Sequence, residues 1–388
     1  MNLMQKKCLL WVGCSLATNL AILWALWSWR AGTERVSALR GPGAFWRPSC
    51  PLWSLWNQEQ QRLAQRHASP SSSSVGGADR HCQPDPDVSS RFVDFPHLPR
   101  QMKDFLLYRR CRAYPLLLEP RGLCPGWAGG PPVLQLLLVI KSQVSSFARR
   151  QAIRQSWGGV GRASGVRLLF LLGQQQAADG HPNLTGLLGY ESRRFGDLLQ
   201  WAFRDTFFNL TLKEVLFLPW LARRCPAARY VFKGDDDVFV NTERLLDYVL
   251  ALDPEKSRDL FLGDAILNAV PSRNPGLKYY VPGAFYSGLY PPYAGGAGVL
   301  YSGHLARRLA EASQAVPLFP IDDVYTGMCL HQLGLAPVYH EGFRSFGINV
   351  TDCWDPCAYR RIFMVHRRTP QEMVQLWKIL HQPNITCK

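Results

Sequence analysis

Apolar and polar positions fall into two regimes that meet near Phe95. Before it, one long apolar run, Cys8 to Trp29, gives way to a polar stretch of small residues. After it, short apolar runs alternate with segments of helical spacing. Val133 to Ile140 (VLQLLLVI) predicts a buried strand, because a strand covered on both faces shows a continuous apolar run. Phe147 to Trp157 follows with helical spacing and stops at Gly158. Val166 to Leu172 and Asp197 to Phe203 predict two more strands, and Arg229 to Lys233 a further one. Between them, Asn209 to Arg224 predicts an amphipathic helix despite Pro219. Strands alternating with helices predict an α/β fold, a sheet with helices on both faces. Neither a GxGxxG nor a Walker A sequence is present, which argues against dinucleotide and P-loop chemistry.

The apolar run sets the compartment. At 1.5 Å per helical residue, Cys8 to Trp29 reaches about 30 Å, enough to cross a bilayer. Trp24, Trp27 and Trp29 crowd its far end, as interface aromatics do. A cleaved signal peptide has a shorter apolar core, and no A-x-A-like site follows Trp29. Arg30, Arg35 and Arg40 on the far flank leave orientation undecided by charge. The expected layout is a tail over 1–7, a transmembrane signal-anchor over 8–29, a lumenal stem over 30–95 and a catalytic body over 96–388. The stem carries the run Ser69 to Gly77 (SPSSSSVGG), too poor in apolar surface to offset its ordering entropy, with Trp56 to Arg66 as its one helical stretch. Sequons at Asn183, Asn209, Asn349 and Asn384 predict lumenal glycosylation. The cysteines beyond the anchor are Cys50, Cys82, Cys111, Cys124, Cys225, Cys329, Cys353, Cys357 and Cys387. They include no CxxC pair, so disulfides are favoured over zinc, and their odd number leaves at least one thiol free or bonded between chains.

Composition adds limits. A chain of 388 residues, 47% hydrophobic and 19% charged, is neither a disordered polymer, a coiled coil nor a multi-span membrane protein. The net charge of +15 favours anionic partners: nucleic acid, an acidic membrane surface or a phosphorylated substrate. Nucleic acid conflicts with the anchor and the sequons.

The sharpest chemistry is Asp235-Asp236-Asp237, within YVFKGDDDVFV. Three adjacent carboxylates repel one another, and they follow a buried strand, where α/β sheets place ligand sites. All-oxygen ligands favour Mg²⁺ or Mn²⁺, with substrate phosphates completing the shell. A bare triplet also suits an acidic turn capping a helix, but the apolar runs on both sides disfavour a solvent turn. No G-x-S-x-G elbow and no paired D-[ST]-G are present.

Five segments, in order, resemble the animal β1,3-glycosyltransferases (glycosyltransferase family 31), in their poly-N-acetyllactosamine β1,3-N-acetylglucosaminyltransferase branch. They are FARRQAIRQSWG at Phe147, DTFFNLTLKE at Asp205, the acidic triplet, YSGLYPPYAGGAGVLYSG at Tyr286 and PIDDVYTGMC at Pro320. The likeness covers roughly Phe95 to the C-terminus, and more loosely WNQEQQRL in the stem. Ala297 and Val299 depart from it, where the family has a third glycine and an aromatic. The resemblance implies a GT-A type fold, a mixed central sheet flanked by helices. It implies Mn²⁺ or Mg²⁺, the donor UDP-N-acetylglucosamine, and a glycan acceptor ending in β-galactose on glycoprotein or glycolipid. It implies inversion at the anomeric carbon and a Golgi, single-pass type II membrane protein, acting alone, as a homodimer or with related transferases. A galactosyltransferase of the same family is the neighbouring reading. A lectin or chaperone on the same fold would be expected to lose the triplet or the base.

Inversion by single displacement needs a base opposite the leaving UDP. Asp323 is expected to be that base, with Asp322 beside it holding structure or acceptor; both open a helical pattern reaching about Leu333, where acidic groups also suit a helix N-terminus. Asp237 is the first-choice metal ligand, joined by His366 of FMVHRR. Asp235 and Asp236 are assigned to the donor. Lys141, Arg150, Arg154 and Lys213 are the basic groups expected near it, although Lys213 also suits a carboxylate partner. Tyr290, Tyr293, Gly295 and Gly296 are assigned to the acceptor, since rings pack on a sugar face and glycines admit close backbone approach.

Overall fold

The computed structural model describes residues 54–68, 82–124, 134–160, 165–176, 180–383 and 385–387. The expected tail, anchor and much of the stem, with Cys50 and Asn384, lie outside the described residues. Among the described residues no helix is long and apolar enough to cross a membrane.

The strands are β1 (Leu116–Leu118), β2 (Leu136–Lys141), β3 (Val166–Gln174), β4 (Leu198–Arg204), β5 (Tyr230–Asp235), β6 (Val238–Val240), β7 (Phe261–Ile266), β8 (Tyr293–Ser302), β9 (Val338–Tyr339), β10 (Phe343–Arg344) and β11 (Met364–His366). The helices are α1 (Leu55–Ala68), α2 (Val88–Arg91), α3 (Arg100–Tyr108), α4 (Phe147–Arg154), α5 (Thr185–Phe195), α6 (Leu210–Arg224), α7 (Thr242–Leu250), α8 (Gly303–Ala315), α9 (Asp322–Gln332), α10 (Pro356–Arg361) and α11 (Pro370–Leu380). The four strands and three helices expected in the body from 133 to 333 are all found, each within a few residues of its expected bounds.

One mixed sheet has the order β1-β4-β3-β2-β5-β8-β7-β9. Its centre, β4-β3-β2-β5, is parallel, while β8 runs antiparallel to both of its neighbours. A small sheet, β10-β11-β6, stands beside it. Period-two alternation divides the core. Leu137, Val139 and Val231 face one apolar layer with α6 and α8; Leu136, Leu138, Ile140 and Phe232 face another with α4, α7 and α11. Both faces are covered, so β2 reads as an unbroken apolar run.

From β2 the chain winds outward through β3 and β4, then returns on the other flank of β2 as β5. Such a reversal opens a crevice at the carboxyl ends of the two strands. Here register sets Lys141 directly beside Asp235.

Helix α1 falls inside the segment expected to be stem, yet it is packed as core. Trp56 is 1% exposed, stacks edge-on against Tyr286 and Phe319, and donates from Nε1 to the Pro317 carbonyl at 3.0 Å. The α1 backbone also pairs with Ala284 and Phe285. The physical reason is that Trp56 and Leu55 belong to the same apolar layer as Phe319 and Ile321, just ahead of α9. Three disulfides, Cys82–Cys111, Cys124–Cys225 and Cys357–Cys387, fit an oxidising compartment.

Trp56→Ala should therefore destabilise the body by about 3–5 kcal/mol, the usual loss for a buried large aromatic. Denaturant melts check this. A chain beginning at residue 96 should melt well below one beginning at residue 54; equal midpoints would return α1 to the stem.

Candidate active site

The acidic triplet stands at the crevice. Asp235 is the last residue of β5, and β6 begins at Val238, so Asp236 and Asp237 form the step between two sheets. The triplet divides by direction. Asp236 is buried and turns inward, accepting from Ser142 Oγ and from Arg149 at 2.7 Å each. Asp237 turns toward β11, where His366 Nε2 lies 3.2 Å from Asp237 Oδ1. Antiparallel pairing of His366 with Val238 fixes that approach. His366 Nδ1 lies 3.1 Å from the Ser345 carbonyl.

Lys141 joins this cluster to a second one. Its Nζ lies 3.0 Å from Asp235 Oδ1, 2.7 Å from Asp322 Oδ2 and 3.3 Å from the Gly296 carbonyl. Asp322 and Asp323 open α9, which is held from behind: Tyr325 donates to the Ser313 carbonyl at 2.8 Å, and Arg112 donates to the Ser313 and Val316 carbonyls. Beneath them Lys233 pairs with the buried Glu214 of α6. A small cavity has Lys141, Lys233, Asp322 and Asp323 together in its wall. Farther along the same strand ends lies an open cleft of about 470 Å³, lined in part by Leu118, Val144, Gln174, Gln175 and Leu188.

Electrostatics separate the two acids of α9. Burial opposes the charge on Asp322, but Lys141 and Lys233 outweigh it and hold that carboxyl low. Burial and the charge of Asp322 push Asp323 up, well above the ordinary carboxylate range. Burial works against the Lys141 ammonium, yet Asp235 and Asp322 raise it. Lys233 is pushed down to about 7 by burial and by Lys141. Burial lifts Asp235 against the pull of Lys141. Asp237 resists its own burial because His366 and Arg149 stabilise its charge, and Asp237 in turn raises His366 against desolvation.

One ligand atom each from Asp235, Asp237 and His366 lies within 4.8 Å of the others. Two carboxylates and an imidazole fit a divalent ion, and the nitrogen ligand favours Mn²⁺ over Mg²⁺. Asp235, expected at the donor, thus stands beside the two residues expected to bind the metal.

Other expected residues sit elsewhere. Arg150 is fully buried in a two-pronged pair with Glu191, and Arg154 bridges Glu191 and Asp197. They brace the Ser142–Val144 turn from behind: Arg150 donates to Ser142 Oγ and to the Gln143 and Val144 carbonyls. Lys213 takes the carboxylate alternative, 3.0 Å from Asp205, and donates to the Ser142 carbonyl. Tyr290 is buried among Tyr286, Tyr293 and Phe319, which makes it core; Tyr293 is half-buried. A Cβ on Gly296 would lie 3.5 Å from Asp323, whereas one on Gly295 would meet Ser345. Ala297 and Val299 are both buried in β8. Asn183 and Asn349 are exposed; Asn209 is half-buried, its Nδ2 donating to the Arg204 carbonyl.

Sequence reasoning missed Arg149, Lys233 and Glu214. Arg149 and Glu214 each adjoin a residue it named, and Lys233 lies two before Asp235, but closeness in sequence does not reveal which side chain faces the crevice.

The family model described as Galactosyltransferase matches residues 148–341. N-acetyllactosaminide beta-1,3-N-acetylglucosaminyltransferase 2 of Mus musculus is 48% identical over 361 residues, covering 88% of each chain. Its Homo sapiens counterpart is 49% identical over 357 residues, with the same coverage. The Homo sapiens acetylgalactosaminyl-O-glycosyl-glycoprotein beta-1,3-N-acetylglucosaminyltransferase is 46% identical over 304 residues, covering 76% of this chain and 78% of its own.

Glu191→Ala would leave the buried Arg150 guanidinium without its carboxylate. A loss of about 3–5 kcal/mol is expected, as for a broken buried pair, read from denaturant melts. Unchanged stability would mean that Arg150 is free to serve the crevice.

Proposed function

The chain belongs to the Galactosyltransferase family, and on that basis we propose that it is an inverting β1,3-N-acetylglucosaminyltransferase. It moves N-acetylglucosamine from UDP-N-acetylglucosamine to the 3-hydroxyl of a terminal β-galactose, extending poly-N-acetyllactosamine chains on glycoprotein or glycolipid. Relatives named for this activity support the reading. The fold is then of the GT-A type, and the protein a Golgi type II membrane protein anchored by residues 8–29, in keeping with the disulfides.

The observation that carries the proposal is the convergence at Lys141. Asp235, on the metal-ligand side, and Asp322, beside the base, both bind that one ammonium. Donor and acceptor chemistry then share one crevice. Asp235, Asp237 and His366 would hold a divalent ion, which when bound would supply positive charge to offset a departing diphosphate. Arg149, half exposed, adds a fixed positive charge beside Asp236 and Asp237. The nucleoside takes the open cleft at the end of β3, beside β1 and β4. Asp323 removes the proton from the acceptor hydroxyl, on the face opposite UDP. Its half-buried carboxyl, beside the negative Asp322, is more basic than a solvated one. The Asp322–Lys141 pair keeps that second charge in place.

The test uses the full-length protein in detergent with Mn²⁺, UDP-N-acetylglucosamine and N-acetyllactosamine. The expected product gains one N-acetylhexosamine in β1,3 linkage, by mass and NMR. Transfer of galactose alone would move the chain to the family's other donor class. Asp323→Asn should lower kcat by about 10²–10⁴, the usual contribution of a general base, with UDP still bound.

The working form of Asp323 is the charged one. Activity is therefore lost as pH falls through its raised pKa, above the ordinary Asp value of about 3.9. Asp322→Asn removes a negative neighbour and should move that acid limb of kcat/KM to lower pH. A limb unmoved by Asp322→Asn would assign the titration to another group.

A further inference from the structure

His366 has two ring nitrogens with different work to do. Nδ1 faces the Ser345 carbonyl at 3.1 Å, and Nε2 faces Asp237 at 3.2 Å. The carbonyl is an acceptor only, so it fixes the proton on Nδ1 and leaves Nε2 directed at the ligand set. The plane of the ring is thus set by where Ser345 stands.

Backbone pairing does not hold Ser345 itself. Strand β10 pairs with β11 through Phe343 and Arg344 and ends there. The next residues are Phe346, which is 76% exposed, and Gly347, whose φ of 101° turns the chain. Ser345 is nevertheless buried. Its seat is the backbone of β8: a Cβ built on Gly295 would lie 3.1 Å from Ser345 Oγ and 3.3 Å from Ser345 Cβ. The Asp264 carboxyl of the neighbouring β7 completes the seat, interacting with the Ser345 backbone.

Successive residues of a strand point to opposite faces. Gly296, the next residue, accordingly lies beside Asp323. The two glycines therefore serve different halves of the crevice. Resting on the reading that Asp237 and His366 hold a divalent ion, we propose that Gly295 and Ser345 are positioning residues of that metal site. The bare Cα of Gly295 lets Ser345 settle against β8, and the Ser345 carbonyl then orients His366. This reassigns Gly295 from the acceptor sugar to the cation.

A methyl group at position 295 leaves contacts tighter than nearly all real Cβ contacts, so one side must yield by a few tenths of an ångström. Gly295 lies within a ten-residue strand, next to Ala294, which pairs with Ala265 of β7, whereas Ser345 lies just past the end of a two-residue one. Ser345 is the side that yields, and its carbonyl moves with it.

The experiment is direct Mn²⁺ binding to the full-length protein in detergent, without sugar nucleotide, by the electron paramagnetic resonance signal of free Mn²⁺. Gly295→Ala should weaken binding by about 10–100-fold, the range for lost outer partners of a metal ligand. Adding Ser345→Gly to Gly295→Ala removes the crowding side chain, keeps the carbonyl, and should restore most of the affinity. Ser345→Val crowds the same contact from the other side and should reproduce the loss, so the result does not hinge on one variant folding. Native Mn²⁺ affinity in both Gly295→Ala and Ser345→Val overturns the inference, as does a double variant that regains nothing. A rise in acceptor KM in Gly295→Ala at native Mn²⁺ affinity also overturns it. A native protein that binds no Mn²⁺ overturns instead the metal reading beneath it.

Discussion

A single buried ammonium, on Lys141, is the point where two distant stretches of chain become one site. It reaches Asp235 because β2 and β5 are adjacent parallel strands whose register sets residue 141 beside residue 235. It reaches Asp322 because α9 starts at the same edge. Without that cation, carboxylates would face one another across a desolvated crevice, a costly arrangement in a low dielectric. With it, one acid of α9 stays charged and low while its neighbour is pushed up.

The second tier of charges follows the same logic. Arg150 and Arg154 meet Glu191 and Asp197, Lys213 meets Asp205, and Lys233 meets Glu214, all of them largely buried. Several of these hold the turn after β2: Lys213 takes the Ser142 carbonyl, and Arg150 takes its hydroxyl and the next two carbonyls. Ser142 in turn holds Asp236. Such pairs cost desolvation and add little net stability, which comes instead from the two apolar layers on the sheet. What they give is a turn whose backbone cannot wander, directly beside the acidic triplet.

Strand β8 divides the crevice into two halves. Gly295 backs Ser345 and, through it, His366; Gly296 backs Asp323. The outer parts are braced as well. Helix α1 packs Trp56 against Phe319, just ahead of α9, and the small sheet sets His366 against the end of the triplet. Distant segments therefore bear on the site through packing alone.

The sequence by itself determined the four strands between Val133 and Lys233 and the three helices beginning near Phe147, Asn209 and Asp322, because apolar period and run length report burial locally. It also singled out the candidate acids: a triplet between apolar runs, and a pair opening a helix, stand out in any single reading of the chain. Tertiary structure alone decided their partners. That Arg150 is sealed against Glu191 while Arg149 faces the carboxylates, that Lys213 belongs to Asp205, and that Tyr290 is core could not be read, because neighbouring residues differ only in the direction their side chains take. Among the strands not predicted, β6, β10 and β11 have two or three residues each and carry no period to detect, while the longer β7 and β8 have their apolar runs interrupted by glycines and by Asp264. β6 joins β11 across more than a hundred residues, and a contact of that range is a property of the folded chain, not of any window along it.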